Sequence, residues 1–187
     1  KRSGMEKHLV WMDLEMTGLN PEVDVILEIA TLVTDAELNV RAEGPVFAIH
    51  HPETILERMD DWNKNQHGKS GLLERVRVST EDMSSAEAKT LDFLATHVKA
   101  GQAPLCGNSI WQDRRFLGRH MPRLEKFFHY RIVDVSSLKV LAQNWYPGLA
   151  SFKKSETHLA MHDTLESVAE LRYYRENIFA QAPVESK

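Results

Sequence analysis

The sequence is poor in cysteine, in long apolar runs and in excess positive charge. Its single cysteine, Cys106, excludes an intrachain disulfide framework and is typical of the reducing cytoplasm, where we expect the protein to reside. No apolar run approaches the roughly 18 residues of a membrane-spanning helix, so we expect no membrane partner. The net charge of −4 excludes a broad polyanion-binding surface, which leaves local contacts or a short substrate if the ligand is a nucleic acid.

The composition indicates one globular domain. The chain has 187 residues, of which 42% are apolar and 27% are charged, enough for a full core. We assign the domain to residues 5–180. Residues 1–4 lack the apolar core of a signal peptide and are expected to be a vector-derived remnant, and residues 181–187 are expected to be a flexible tail.

Hydrophobic patterning predicts three strands at 8–14, 25–35 and 40–49, joined as an antiparallel meander, with an irregularity at Gly44-Pro45. Two more strands are predicted at 103–107 and 131–135. Helices are predicted at 57–66, at 72–76, from a capping box at Ser84–Glu87 to Gly101, from Asp113, at 136–145 and at 163–179, and 67–71 is predicted as a loop. This order predicts an α/β domain with a mixed five-stranded sheet flanked by helices.

Two acids, Asp13 and Glu15, stand at the end of the first apolar run. Residues i and i+2 of a strand leave the same face, so both carboxylates point the same way. Burial and mutual repulsion make both acids costly to ionise, which favours a hard divalent ion such as Mg²⁺ between them. The alternative is a strand that simply reaches solvent at this point.

Asp113 and Asp163 stand at similar strand-to-helix transitions, where the alternative is helix capping. His158 lies five residues before Asp163, a spacing that cannot place both on one helical face. The two converge only if His158 lies in a loop before the helix. There it could exchange a proton near neutral pH, and the alternative is an ordinary surface histidine.

Asp13, Glu15, Asp113, His158 and Asp163 match, in order, the pattern of the DEDDh exonucleases. The local sequence narrows the match, because several segments resemble oligoribonuclease: Asp13–Leu19, Gly107–Ser109, Gln112–Leu117, Tyr130-Arg131, Asp134–Ser136, His158–Met161, Glu166-Ser167 and Glu170–Arg175. The resemblance extends from Met5 to about Phe179. Two departures are Trp111, where many relatives have a small residue, and His162, where an acid is common.

The resemblance implies an RNase H-like fold, similar to the proofreading exonucleases, and hydrolysis of very short RNAs from the 3′ end to nucleoside 5′-monophosphates. Dinucleotides, including pGpG, the linear product of cyclic-di-GMP opening, are the family's characteristic substrate. Asp13, Glu15, Asp113 and Asp163 would hold two Mg²⁺ or Mn²⁺ ions, and His158 would be the general base for the attacking water. Two metals can offset the charge on both the attacking and the leaving oxygen.

The resemblance also implies residues that hold the bases. Leu19 would be a wedge against them, with Trp62 and His67 beside them. Stacking on an aromatic ring tolerates any base and is worth about 1–3 kcal/mol per base. For Trp62 the alternative is core packing, although its polar neighbours favour exposure.

A third implied set encloses the substrate's 5′ phosphate. It contains Ser109, Arg131 and Ser136, and the guanidinium of Arg131 can bond two phosphate oxygens. Lys139, one helical turn after Ser136, could add charge there, and the alternative for Lys139 is a structural ion pair.

Family members are homodimers in which a tyrosine, here Tyr130, reaches the neighbouring site. That would make 127–130 an interface, whereas patterning alone favours core. Two other functions stay open from the residues: a DEDDh nuclease that trims longer RNA or DNA, and a non-catalytic RNA-binding or scaffold protein on the same fold.

Overall fold

The computed structural model describes residues 8–155 and 159–180, and a five-stranded sheet runs through them. The strands are β1 (Leu9–Met16), β2 (Ile26–Thr34), β3 (Val40–Ala48), β4 (Leu105–Gly107) and β5 (Ile132–Asp134). Their order across the sheet is β3-β2-β1-β4-β5. The first three pair antiparallel, and β4 and β5 join parallel to β1. The predicted mixed sheet with its antiparallel meander is confirmed.

Helices cover both faces of the sheet. The helices are α1 (Glu53–Leu56), α2 (Asp61–Lys69), α3 (Leu72–Val78), α4 (Met83–Ala95), α5 (Ile110–His120), α6 (Pro122–Phe127), α7 (Val135–Trp145) and α8 (Ala160–Asn177). No helix among the described residues combines the length and apolarity needed to cross a bilayer. Cys106 is buried in β4, and the cytoplasmic location stays a prediction.

Strand β1 lies between two cores because its side chains alternate between the faces. Val10, Met12 and Leu14 pack into a core shared with α4, α5 and α6. Trp11 packs on the opposite face with buried residues of α7 and α8, and its indole N–H donates to Thr34 Oγ1 at 2.9 Å. Continuing the alternation, Asp13 and Glu15 share the face of Trp11, the face that α8 covers.

The irregularity predicted at Gly44-Pro45 is confirmed. The pairing of β2 with β3 shifts register between Ala30 and Leu32. A Cβ on Gly44 would lie 2.4 Å from Thr31 Oγ1, so the close approach of the two strands requires a glycine at this position.

Several helix bounds differ from prediction because aspartates cap two of the helices. Asp60 accepts a hydrogen bond from the Asn63 amide at 2.7 Å, so α2 begins at Asp61 and runs through His67 to Lys69. The predicted loop at 67–71 is therefore wrong at its start. The capping box of α4 joins Asp82 and Ser85 rather than beginning at Ser84, and α4 ends at Ala95 instead of continuing to Gly101.

Candidate active site

Three carboxylates meet where β1 ends. Asp13 and Glu15 come from β1, and Asp163 comes from the first turn of α8, which begins at Ala160, three residues earlier than predicted. One oxygen from each lies within 4.8 Å of the others. Carboxylate oxygens at this separation can share one hard divalent cation.

Burial and crowding perturb these acids strongly. Burial, followed by the charges of Asp113, Glu15 and Asp163, raises the pKa of Asp13 well above its ordinary range. Burial and the charge of Asp163 raise the pKa of Glu15 to about 8. The surroundings therefore supply too little positive charge to balance these carboxylates. A set of oxygen ligands in this situation fits a cation such as Mg²⁺ or Mn²⁺.

Asp113 lies beside this group, in the first turn of α5. Helix α5 begins at Ile110, three residues before the predicted start. Asp113 Oδ1 accepts a hydrogen bond from the Leu14 amide at 2.9 Å, which ties α5 to the end of β1. Burial raises the pKa of Asp113 to about 7, although the bond from Leu14 acts in the opposite direction. The fourth predicted acid thus lies close enough to raise the pKa values of Asp13 and Glu15.

His158, the predicted general base, lies outside the described residues, so its convergence with Asp163 stays a prediction. The start of α8, by contrast, is fixed by a buried acid that sequence reasoning missed. Glu28 of β2 accepts from the Ala160 amide at 3.4 Å through Oε2 and pairs with Arg75 at 2.7 Å through Oε1. The signal was present, since Glu28 is the one charged residue within the apolar run 25–33.

His67 lies behind Glu15 and is 4% exposed. Its Nε2 donates to the Met16 carbonyl at 2.9 Å, because a carbonyl can only accept, and its Nδ1 lies 3.8 Å from Glu15 Oε2. This buried position on α2 suits a role in orienting Glu15, and the predicted place of His67 beside the bases stays a prediction. Trp62 lies on the same helix and is 69% exposed, so the core-packing alternative for it is wrong.

Leu19 is presented by a tightly bonded turn and is 72% exposed. Asp24 accepts from the Thr17 hydroxyl at 3.1 Å and from the Asn20 amide at 2.9 Å. A Cβ on Gly18 would lie 2.5 Å from the Asp24 carboxylate, so the turn requires glycine there. The Leu19 carbonyl accepts a hydrogen bond from the Gln112 side chain, a contact between distant segments that the sequence did not reveal.

The structure brings Ser109 and Ser136 together. Ser109 has a left-handed backbone, with φ of 49°, which is unusual for a residue other than glycine. Both amides donate to Asp134 Oδ1, at 2.9 Å and 3.0 Å, and the two hydroxyls are 3.2 Å apart. The amides are therefore used within the protein, and a ligand bound here would compete with Ser136 Oγ for the proton of the Ser109 hydroxyl.

A hydrogen-bond chain links this serine pair to the carboxylate group. The Ser136 hydroxyl donates to the Asn108 side chain at 3.1 Å, and Asn108 donates to the Ser167 hydroxyl at 2.8 Å. Ser167 in turn donates to the Asp163 carbonyl at 2.9 Å. Asn108 and Ser167 are 59 residues apart in sequence, which is why patterning alone gave them no joint role.

The remaining predicted residues lie at the surface. Tyr130 is 72% exposed, and the Arg131 guanidinium lies 5.2 Å from the centre of its ring. Lys139 is exposed and lines a shallow cavity between α7 and α8, together with Tyr174. Phe128 is 5% exposed and belongs to the core, so the prediction of an interface across all of 127–130 is wrong at this residue.

Comparison with known proteins agrees with this geometry. Residues 10–171 match a protein-family model described as Exonuclease. The chain is 62% identical over 172 residues to the oligoribonuclease of Pseudomonas aeruginosa, covering 91% of this chain and 96% of that protein. It is 59% identical over 175 residues to the oligoribonuclease of Shewanella loihica, covering 93% of this chain and 97% of that protein.

Solved structures show a similar fold. A zinc-bound crystal structure of the E. coli ExoI–ssDNA complex has a TM-score of 0.72 and 16% identity. An exonuclease I from Methylocaldum szegediense has a TM-score of 0.69 and 16% identity. Each match covers more than nine-tenths of this chain, 93% and 92%, but only 41% of the solved chain. At this identity the likeness shows the fold alone.

Proposed function

The chain belongs to the oligoribonuclease family, and we propose that it is a 3′-to-5′ exoribonuclease that hydrolyses very short RNAs to nucleoside 5′-monophosphates. We propose 5′-phosphorylated dinucleotides, including pGpG, as its preferred substrates. The observation that carries the proposal is the carboxylate group of Asp13, Glu15 and Asp163 at the end of β1. Phosphodiester hydrolysis by the two-metal mechanism needs such a concentration of negative ligands to hold its cations.

Asp13, Glu15, Asp113 and Asp163 would hold two Mg²⁺ or Mn²⁺ ions. When bound, such ions lower the pKa of a coordinated water and offset the charge of the reacting phosphate. The acids fit this role because burial and mutual repulsion raise the pKa values of Asp13, Glu15 and Asp113, a penalty that bound cations would relieve.

The protein's own groups would position the substrate and move the proton. His158 would accept the proton of the attacking water, because an imidazole has a pKa matched to this task near pH 7. In its protonated form, His67 would attract the Glu15 carboxylate, whose Oε2 lies 3.8 Å from its Nδ1. The bond chain from Ser136 to the Asp163 carbonyl would keep the phosphate end and the reacting end in a fixed relation.

Substrate length would be set by groups at the two ends. Leu19 and Trp62 are both more than two-thirds exposed, at 72% and 69%, and would contact the bases without reading their identity. The hydroxyls of Ser109 and Ser136 and the guanidinium of Arg131 would bind the 5′ phosphate. A terminal phosphate enclosed in this way leaves no path for a longer chain, which supports selection of dinucleotides.

We propose in addition that the protein acts as a homodimer in which Tyr130 reaches the site of the partner. The exposure of Tyr130 supports this role. Tyr130→Ala should then lose dinucleotide turnover while keeping its unfolding temperature, and Tyr146→Ala, also exposed, serves as the matched control. Full turnover by Tyr130→Ala would contradict the assignment.

The function is tested by comparing substrates of different length. Purified protein with Mn²⁺ is given a 5′-phosphorylated dinucleotide, the same dinucleotide without its phosphate, a longer RNA and a DNA oligonucleotide, and products are separated by chromatography. We expect the phosphorylated dinucleotide to be hydrolysed fastest. Equal rates on the dinucleotide and the longer RNA or DNA would favour an exonuclease that trims longer 3′ ends.

A further inference from the structure

Three successive residues near the start of α5 bond to three separate segments of the chain. Successive residues of a helix are about 100° apart around its axis, so their side chains point in different directions. The buried side chain of Gln112 donates to the Leu19 carbonyl. Asp113 accepts from the Leu14 amide at 2.9 Å. The third side chain, that of Arg114, reaches the segment that leads into β5.

Arg114 holds the backbone immediately before Arg131. Its Nη1 donates to the carbonyls of His129 and Tyr130, both at 3.0 Å. Its Nε and Nη2 each lie 2.9 Å from Glu125 Oε1 in α6, and this pair fixes the plane of the guanidinium. Only 20% of the Arg114 side chain is exposed. Because hydrogen bonds from a charged donor are stronger than neutral ones, these contacts tie the segment firmly to α5.

The same segment combines a fixed backbone with exposed side chains. The His129 amide donates to the Ala103 carbonyl at 2.9 Å, and the Arg131 amide donates to His129 Nδ1 at 3.1 Å. The side chains of Tyr130 and Arg131 are nevertheless exposed. A fixed backbone that presents exposed side chains is preorganised for binding, because less conformational freedom is lost when a ligand arrives.

We propose that Gln112 and Arg114 are positioning residues that set the length of the substrate. Gln112 fixes the turn of Leu19, Arg114 fixes the segment before β5, and Asp113 between them belongs to the carboxylate group. The two ends of the site are thereby held at fixed distances from the carboxylates. This inference rests on the proposed function, because it takes Leu19 as the base end and Arg131 as the phosphate end. Neither positioning residue contacts the reacting atoms.

The competing explanation is that these side chains only stabilise the packing of α5. Arg114→Lys separates the two explanations, because an ammonium can keep the pair with Glu125 but lacks the planar fork that also reaches two carbonyls. Gln112→Met keeps a side chain of similar size and removes the donor to Leu19. The matched control is Arg119→Lys, which changes an exposed arginine of the same helix. For each protein, kcat, KM and the unfolding temperature are measured with a dinucleotide bearing a 5′ phosphate, the same dinucleotide without it, and a longer RNA.

We expect Arg114→Lys to lower kcat/KM for the phosphorylated dinucleotide about tenfold or more, and by less for the unphosphorylated one, so that the preference for the phosphate shrinks. Gln112→Met should raise KM for both dinucleotides by the same factor, so its phosphate preference stays that of the wild type. In both variants the advantage of the dinucleotide over the longer RNA should shrink. Arg119→Lys should change none of these ratios.

If Arg114→Lys and Gln112→Met lower the unfolding temperature but keep the wild-type ratios between substrates, the residues are only structural and the inference is overturned, while the proposed function stands. A wild type that hydrolyses the dinucleotide no faster than the longer RNA would refute the proposed function and this inference with it. If Arg114→Lys does not fold, Glu125→Gln replaces it, because it weakens the hold on the guanidinium and should shift the phosphate preference in the same direction. An unchanged preference in Glu125→Gln would then overturn the role of Arg114.

Discussion

Replacing Glu15 by glutamine removes a carboxyl group that the metal-free protein can ionise only at a cost in stability. The pKa of Glu15 is about 8 in the folded protein against an ordinary value of 4.5, mainly because the side chain is buried and faces Asp163. Since the folded-state pKa is raised, the protonated form favours folding. That advantage is complete below pH 4.5 and is lost as the pH rises through about 8. Glutamine cannot ionise and keeps the advantage at every pH.

The size of the effect follows from the two pKa values. Each pH unit between them is worth about 1.4 kcal/mol, so the stability of the folded state falls by about 3 kcal/mol between pH 4.5 and pH 7 and by about 5 kcal/mol once the pH is well above 8. For a chain of this length, 1 kcal/mol changes the unfolding temperature by about 2–4 °C. Glu15→Gln should therefore unfold about 10 °C higher than the wild type at pH 8, and at nearly the same temperature at pH 4.5.

The assay is thermal unfolding in EDTA, from pH 4.5 to pH 9, for the wild type, Glu15→Gln and the control Glu57→Gln, which changes an exposed glutamate. Only Glu15→Gln should show a stability difference that grows with pH. Addition of Mn²⁺ should stabilise the wild type and leave Glu15→Gln nearly unchanged, because the variant lacks a ligand. A Glu15→Gln protein less stable than the wild type in EDTA at pH 8 would refute the reasoning.

Three further changes test the supports of the site. Gly18→Ala should lower stability by about 1–3 kcal/mol and raise KM, because its Cβ would lie 2.5 Å from a carboxylate oxygen of the same turn; urea unfolding and initial rates measure both. Arg75→Gln should cost up to about 3 kcal/mol, since it leaves a buried carboxylate unpaired, whereas Arg77→Gln, in an exposed pair, should cost less than about 1 kcal/mol. Trp62→Ala should raise KM for dinucleotides roughly 5- to 150-fold without changing thermal stability, because its ring is exposed; unchanged KM would remove its stacking role.

The sheet could be predicted from sequence because its strands are strongly patterned. All five strands lie within two residues of their predicted bounds, and Gly44-Pro45 marked the irregularity in β3. The helix bounds were harder to predict, because several polar residues near Asp60 and near Asp82 could each have served as the N-cap. Which of several candidate caps is used depends on the packing of the helix that follows.

Asp13 and Glu15 could be proposed as metal ligands because they end a buried strand, which is a local pattern, whereas Asp113 and Asp163 joined them only through the resemblance to the DEDDh exonucleases. The residues that hold these acids in place could not be identified from the sequence, because their contacts join segments that are far apart in the chain. Glu28 meets the start of α8 132 residues away, and Gln112 meets Leu19 93 residues away. His67 looked like a loop residue and proved to be buried behind Glu15, since only the packed position of α2 brings it there.

The central claim is that the carboxylates at the end of β1 perform metal-dependent hydrolysis of very short RNA. The most direct test is the release of nucleoside 5′-monophosphate from a 5′-phosphorylated dinucleotide by the wild type, by Asp13→Asn and by the control Asp92→Asn, an exposed acid. We predict release by the wild type and the control with Mn²⁺, loss of release in EDTA with recovery on added Mn²⁺, and background rates for Asp13→Asn. Wild-type rates from Asp13→Asn, or rates that EDTA leaves unchanged, would contradict the account.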